Sequence, residues 1–267
     1  MKKLKFIPVI LLALLFLTAC SSKQSSSNEY QEIKASKKIY WGIRADVRLF
    51  GLMDIKSQKI QGFELDLAKA LTKQMLGKDG KAVFVQTTAK TKIPMLMNHS
   101  IDVLLATNTI TEQRKKVIDY TDPYFPAGQA IMAPVNSKIK SIKDLNHKGV
   151  NVIAVKGTTA VVNMKKFAPK AKVLEFDDYG QAFSALKAGQ GVAMTTDNGI
   201  LAGLISQSKG YKLVGGTFTD EPYGMGINKK QPQLRQALNK ALAQLKKKGI
   251  YAKLEQKWFG NIKGLKL

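Results

Sequence analysis

From about residue 39 onward, short apolar runs alternate with longer stretches in which apolar positions recur every three or four residues. The first pattern predicts buried strands and the second amphipathic helices, and their alternation predicts an α/β fold with parallel strands. Residues 39–43 read as the first strand, 82–85 as the second and 101–106 as the third. A helix opens at Gly62, with Phe63, Leu67, Ala70, Leu71 and Met75 on one face. Its early acids, Glu64 and Asp66, complement the positive helix start and read as capping rather than catalysis. Strands are also predicted at 150–155 and 192–194, and near the end Leu234, Leu238, Ala241, Leu242 and Leu245 mark the buried face of another helix.

Two segments repeat one chemistry. Asp122-Pro123-Tyr124-Phe125 and Glu221-Pro222-Tyr223-Gly224 each place an acid, a proline and a tyrosine before an extended apolar run, 130–132 in one case and 225–227 in the other. Read as two crossover strands, they take the chain out of a first lobe near Ala127 and return it near Met225. The expected organisation is a lobe of residues 37–127 plus 225–267, a second lobe of 128–224, and two hinge strands between them. Coincidence between two short motifs is the plainer alternative.

The chain's start has a different texture. A basic stretch, residues 1–5, precedes an apolar run over 6–17 that is shorter than the roughly 20 residues a membrane-spanning helix needs, so 1–19 read as a signal peptide. The run ends in Leu17-Thr18-Ala19-Cys20, which resembles a bacterial lipobox. That likeness implies cleavage before Cys20 and a lipid on its thiol, with residues 20–36 as a flexible, Ser-rich tether.

In an open α/β sheet, ligands sit at the carboxyl ends of strands beside helix starts. Three such ends carry distinctive side chains. In the first, residues 106–114, Thr111 is a good helix N-cap and puts Arg114 in the first turn, where its planar fork suits a carboxylate that the Thr109 and Thr111 hydroxyls could also bind. A solvated arginine on a basic helix is the plainer alternative. In the second, Gly157-Thr158-Thr159 ends a strand and opens a helix, which offers free N–H groups to an anion or else is simply a threonine cap. Asp197 stands at the third, either as an N-cap or as a carboxylate for an ammonium group. On the expected topology Arg114 and Asp197 belong to different lobes, so a zwitterion between them would bridge the cleft and favour closure.

Composition narrows the partners. The 267 residues include 43 Lys plus Arg and 19 Asp plus Glu, a net charge of +24, or +21 once the three leader lysines are removed. Such an excess excludes an acidic calcium-buffer type and favours anionic surroundings. One cysteine and two histidines exclude disulfides within the chain and starve metal chemistry, so neither a metal nor a cofactor is expected. Nucleic acid is disfavoured by the export signal and by the lack of an interleaved basic and aromatic motif.

The lipobox, Gly62-Phe63-Glu64-Leu65-Asp66-Leu67, the stretch from Ala106 to Arg114, Asp122-Pro123-Tyr124, Gly157-Thr158-Thr159 and Lys257-Trp258-Phe259 together resemble the family 3 solute-binding proteins of polar amino acid ABC transporters. The likeness spans nearly all of the chain after the leader. It implies a type II periplasmic-binding-protein fold that closes on an L-amino acid, with Arg114 on the α-carboxylate, Asp197 on the α-ammonium, and Ala106, Thr109, Thr111, Thr158 and Thr159 lining the site. Asp46 resembles part of the first-strand loop that covers the ligand side chain. Phe50-Gly51-Leu52 and residues 89–94 are similar to the glutamine, glutamate and aspartate binders of Gram-positive bacteria; Lys92, where acidic-ligand members often carry arginine, would hold a side-chain carboxylate or donate to an amide oxygen.

The expected function is therefore a lipid-anchored receptor on the outer face of the cell membrane that binds glutamine, glutamate, aspartate or asparagine and delivers it to an ABC permease. Its expected partners are that amino acid, the permease, the membrane through Cys20, and, as a candidate, an anionic cell-wall polymer. Two alternatives stand beside it. A surface adhesin would use the basic surface, since residues 229–267 hold eleven Lys and Arg against one acid, although a solvated helix face explains them more simply. An enzyme on this fold would need a positioned acid or base, and few spare acids lie near these motifs.

Overall fold

The computed structural model describes residues 28–260. The leader, Cys20 and the Ser-rich beginning of the tether, on which the signal and lipidation expectations rest, lie outside the described residues. The chain runs α1 (Glu29–Ser36), β1 (Lys38–Ile43), β2 (Asp46–Val47), β3 (Gly51–Asp54), β4 (Lys59–Gln61), α2 (Phe63–Leu76), β5 (Lys81–Gln86), α3 (Lys92–Met97), β6 (Val103–Leu104), α4 (Glu112–Lys115) and β7 (Asp119–Phe125). It continues through β8 (Gln129–Pro134), β9 (Asn151–Val155), α5 (Thr159–Phe167), β10 (Lys172–Phe176), α6 (Tyr179–Lys187), β11 (Ala193–Asp197), α7 (Asn198–Ile205) and β12 (Tyr211–Val214). It ends with β13 (Tyr223–Ile227), α8 (Pro232–Lys247) and α9 (Ile250–Phe259).

These strands form two five-stranded sheets, ordered β5-β1-β6-β13-β7 and β10-β9-β11-β8-β12, and a small antiparallel sheet of β2, β3 and β4. In the first, β5, β1 and β6 are parallel, with Lys38 opposite Lys81 and Trp41 opposite Val103. The second repeats the plan with β10, β9 and β11 parallel and β8 antiparallel to β11. The carboxyl ends of both parallel sets face one cleft, and each sheet with its helices is one α/β lobe of a type II periplasmic-binding-protein fold.

Packing follows the sequence pattern. Trp41, wholly buried in β1, donates its indole N–H to Thr72 Oγ1 of α2 at 2.9 Å, which satisfies the polar atom of a large core side chain. Leu234, Leu238, Ala241, Leu242 and Leu245 are the buried residues of α8, on the face their spacing predicts. At the junction of the lobes Phe50, Phe63, Phe125, Tyr223 and Phe259 pack ring on ring, with Phe50 5.0 Å from Phe125 and 5.2 Å from Phe259. The Lys-Trp-Phe motif contributes Phe259 to this cluster, while the Lys257 ammonium and the Trp258 N–H both reach Asp66, at 2.7 and 3.0 Å.

Four expectations are revised. Residues 29–36, expected within the tether, form α1; Ile33 is buried in the core, the Glu29 N–H donates to Gln231 Oε1, and the Glu29 carboxylate meets His99 Nδ1 at 2.8 Å. The third strand is only Val103–Leu104, because the backbone then turns into the cleft, with Thr107 at φ +43°. Glu64 is no surface cap: it is fully buried, accepts the Thr107 N–H at 2.6 Å and the Tyr124 hydroxyl, and its burial pushes the carboxyl pKa up. The strands 129–134 and 223–227 lie inside the two sheets, and the crossings are the segments 126–128 and 215–222, side by side, with Glu221 N–H donating to Ala127 O and Phe218 N–H to Gln129 O.

Candidate functional site

The cleft is built from loops that leave the carboxyl ends of six parallel strands, three from each lobe. From the first lobe come Arg44 to Asp46 after β1, Thr87 to Ala89 after β5, and Leu105 to Thr109 after β6. From the second come Lys156 to Thr159 after β9, Asp177 to Tyr179 after β10, and Asp197 at the end of β11.

Thr111 caps α4 as its position predicts, Oγ1 accepting the Arg114 N–H at 3.2 Å. Because α4 is a single turn, it places a modest dipole under the guanidinium. Arg114 Nη1 bends back to donate to Thr109 O at 3.0 Å and Asn108 Oδ1 at 3.4 Å, and Nη2 reaches across to Gly157 O of the second lobe at 3.5 Å. The rest of the fork lines an inter-lobe cavity of 560 Å³, shared with Thr111 and Ile93 on one side and with Thr158, Thr159 and Glu221 on the other.

Opposite Arg114, two carboxylates are bound into one polar cluster. Thr159 Oγ1 donates to Glu221 Oε2 at 2.6 Å, Asn163 Nδ2 donates to Glu221 Oε1, and Gln129 Nε2 donates to Glu221 and to Asp197. Tyr223 donates its hydroxyl to the other Asp197 oxygen. Asp197 occupies the N-cap position of α7 without a side-chain cap bond, so the capping alternative is not realised. Burial lifts its pKa from 3.8 to about 7, the Tyr223 hydrogen bond acting against the rise and nearby Glu221 adding to it. Glu221 faces the cavity, and Asp197 lies behind it.

Thr158 likewise makes no cap bond; its hydroxyl returns to Val155 O at 2.7 Å, which leaves the first N–H groups of α5 toward the cleft. Gly157, at φ +76°, allows the lobes to meet: a Cβ there would stand 3.2 Å from Ala89 O of the other lobe.

A second group of charges lies deeper in the first lobe. Lys92 is buried and donates Nζ to Ala106 O at 3.1 Å and Thr107 O at 3.2 Å. Burial, followed by the like charges of Arg114 and Arg44, holds its pKa well below that of ordinary lysine. Arg44, 1% exposed, makes a bidentate pair with Asp46 at 2.7 and 2.6 Å and sits 5.5 Å from the ring of Tyr179, which belongs to the second lobe. Exposed Lys90 meets Asp177 across the cleft at 2.8 Å, while Lys156 reaches the same carboxylate from within its own lobe at 3.2 Å.

Thus Arg114, Thr111, Thr158 and Thr159 line one cavity; Thr109 and Ala106 supply carbonyls beside it, Asp197 stands behind Glu221, and Lys92 and Asp46 belong to the deeper group. Sequence reasoning missed Arg44, Gln129, Glu221 and Tyr179. The Glu-Pro-Tyr motif was the available signal for Glu221, whose acid sits where the returning crossing meets the cleft; the others carry no local mark. Among the described residues no group of three or more His, Cys, Asp or Glu is placed to hold a metal ion.

Comparison with known proteins agrees with this architecture. The chain is 46% identical over 267 residues to the ABC transporter glutamine-binding protein GlnH of Bacillus subtilis (strain 168), covering 97% of both chains. It is 43% identical over 242 residues to the glutamine-binding protein of Geobacillus stearothermophilus, covering 84% of this chain and 92% of that one. Among solved structures, an ancestral arginine-binding protein bound to glutamine superposes with a TM-score of 0.77 at 40% identity, over 84% of this chain and 99% of the other. Residues 39–261 match the pattern that defines the bacterial extracellular solute-binding proteins of family 3, and the chain belongs to that family.

Proposed function

We propose that this protein is an extracellular receptor that closes on free L-glutamine and hands it to the permease of an ABC importer, with no bond made or broken. The observation that carries the reading is the facing of Arg114 from one lobe against the Asp197 and Glu221 cluster of the other, around a cavity that lies between the lobes. A free amino acid carries the complementary pair of charges, and it gains the second set of contacts only when the lobes meet, so binding favours closure. On this reading Arg114, with the Thr111 hydroxyl and the first N–H groups of α5, takes the α-carboxylate, and Asp197 with Glu221 takes the α-ammonium.

The choice of an amide over an acidic side chain draws support from the deeper cations. Asp46 already neutralises Arg44, and the backbone carbonyls of Ala106 and Thr107 already engage the Lys92 Nζ. A distal carboxylate would lack a free cation there, whereas a neutral amide needs none. The glutamine-binding relatives point the same way.

We assign residues 29–125 plus 223–260 and residues 129–214 as the bodies that move, and Cys20 as the attachment point of a lipid that keeps the receptor at the outer face of the membrane. An anionic cell-wall polymer is assigned as a partner outside the cleft. Calorimetric titration with glutamine and glutamate tests the reading: the unaltered protein binds glutamine, and Arg114→Ala weakens binding at least about 100-fold, as expected for losing a charge-assisted bidentate contact. Unchanged affinity in the variant would remove Arg114 from the site.

A further inference from the structure

One lysine-rich region takes no part in the cleft. Between residues 138 and 172 the chain carries nine lysines and one acid, Asp144. Lys156 belongs to the cleft end of β9; the others lie at the far end of the second lobe, where β9 and β10 begin. The fold draws them together. Lys172 is in register with Asn151, its N–H donates to Val150 O, and the Lys170 N–H donates to Asn146 Oδ1, so the turn after α5 lies against the turn before β9. Lys140, Lys143, Lys148, Lys165, Lys170 and Lys172 are all exposed, and among the described residues none of their ammonium groups meets a carboxylate.

The one acid in this stretch offsets only one of the nine lysines. The Asp144 carboxylate is taken up by the N–H groups of Lys140 and Ser141, at 2.8 and 2.9 Å. Lys165 lies in the last turn of α5, where it complements the helix dipole, but this local reason does not extend to the lysines of the turns. At physiological salt, charges within about 8 Å reinforce one another, so neighbouring lysines act as one field.

Several features specify what this field would hold. Residues 128–224 contain no arginine, so the patch offers point charges and no planar forks, which suits regularly spaced phosphates better than a single carboxylate. It lies opposite the cleft and stays uncovered when the lobes close. It also lies on the lobe remote from α1, which packs against α8 and β1 of the other lobe, so a chain held by its N-terminus presents this end away from the membrane. An open hollow of 440 Å³, lined in part by Lys138, His147, Val150, Val192 and the acid Asp144, adjoins it.

We propose that this pole of the second lobe binds a linear phosphodiester polyanion outside the membrane, by charge and counterion release rather than by shape. The inference rests on the receptor reading only for the protein's location; the binding itself is independent of the amino acid site.

The test titrates the protein against surface-bound poly(glycerol phosphate) at low and physiological salt. Lys148→Gln, Lys170→Gln and Lys172→Gln together are compared with Lys240→Gln, Lys247→Gln and Lys253→Gln, exposed lysines of α8 and α9 whose loss changes the net charge equally. The first set weakens polymer binding at least about tenfold and flattens its salt dependence, while the second weakens it less than about threefold. Glutamine affinity, unchanged in both, shows that each variant is folded. Equal losses in the two sets, no loss in the first, or tighter binding to phosphatidylglycerol vesicles than to the polymer would each overturn the proposal. A protein that binds the polymer but no amino acid would instead overturn the receptor reading.

Discussion

At the residue scale the cleft depends on how burial moves protons. Burial lifts the Asp197 pKa to about 7 in the folded protein against 3.8 in the unfolded chain, so the native state holds its proton more tightly. The stabilisation from that proton is complete below about pH 4 and is lost as pH rises toward 7, because the raised pKa belongs to the folded state. An ammonium group placed beside the carboxylate favours the ionised form and expels the proton. Glutamine affinity therefore increases by up to about tenfold per pH unit between pH 5 and 7 and levels off above it, with proton release visible at pH 6 as a buffer-dependent binding enthalpy. Affinity independent of pH over this range would remove Asp197 from the ammonium site. The Arg114 position was legible because its cap, Thr111, lies three residues away. Glu64 misled because its partners come from distant segments, Thr107 from the turn after β6 and Tyr124 from β7, and a buried acid at a helix start has the same local pattern as an exposed one.

At the scale of elements, α8 was legible because one side of it meets the core, and its period of 3.6 records that directly. The small sheet of β2, β3 and β4 was not, since its burial is partial and lacks a clean alternation. Helix α1 was hidden for another reason: eight residues of polar composition would not hold a helix alone, and its order comes from docking. Ile33 reaches the core, Glu29 accepts from Asn228 Nδ2 at 2.9 Å, and the Glu29 N–H meets Gln231. Replacing Ile33 with Ala removes buried apolar volume and costs about 2–4 kcal/mol of unfolding free energy. Chemical denaturation measures that loss, and glutamine affinity stays unchanged because α1 lies at the end of the lobe away from the cleft. A loss of affinity without a loss of stability would mean that α1 acts on closure instead.

For the whole molecule, the balance between open and closed forms decides how long a ligand stays. The crossings at 126–128 and 215–222 lie side by side and are tied by the Glu221 N–H on Ala127 O, the arrangement that paired hinge segments between two lobes require. The polar contacts across the cleft differ in kind, and they include the Tyr223 hydroxyl on Asp197, Arg114 on Gly157 O, Arg44 over the Tyr179 ring, and Lys90 on Asp177. The last is exposed on both sides, so its contribution is small and screened by salt. Lys156, from the second lobe itself, shares the same carboxylate and makes the acid available to Lys90 without leaving it unpaired when the lobes part. Asp177→Asn removes this attraction between lobes while leaving every residue that faces the cavity in place. Glutamine then dissociates about two- to fourfold faster at low salt, with little change in the rate of association. Stopped-flow measurements in rising salt check the cause, because the unaltered protein converges on the variant as its ion pair is screened. A difference that persists at high salt would show that Asp177 acts through the start of α6 and Tyr179 rather than through its charge.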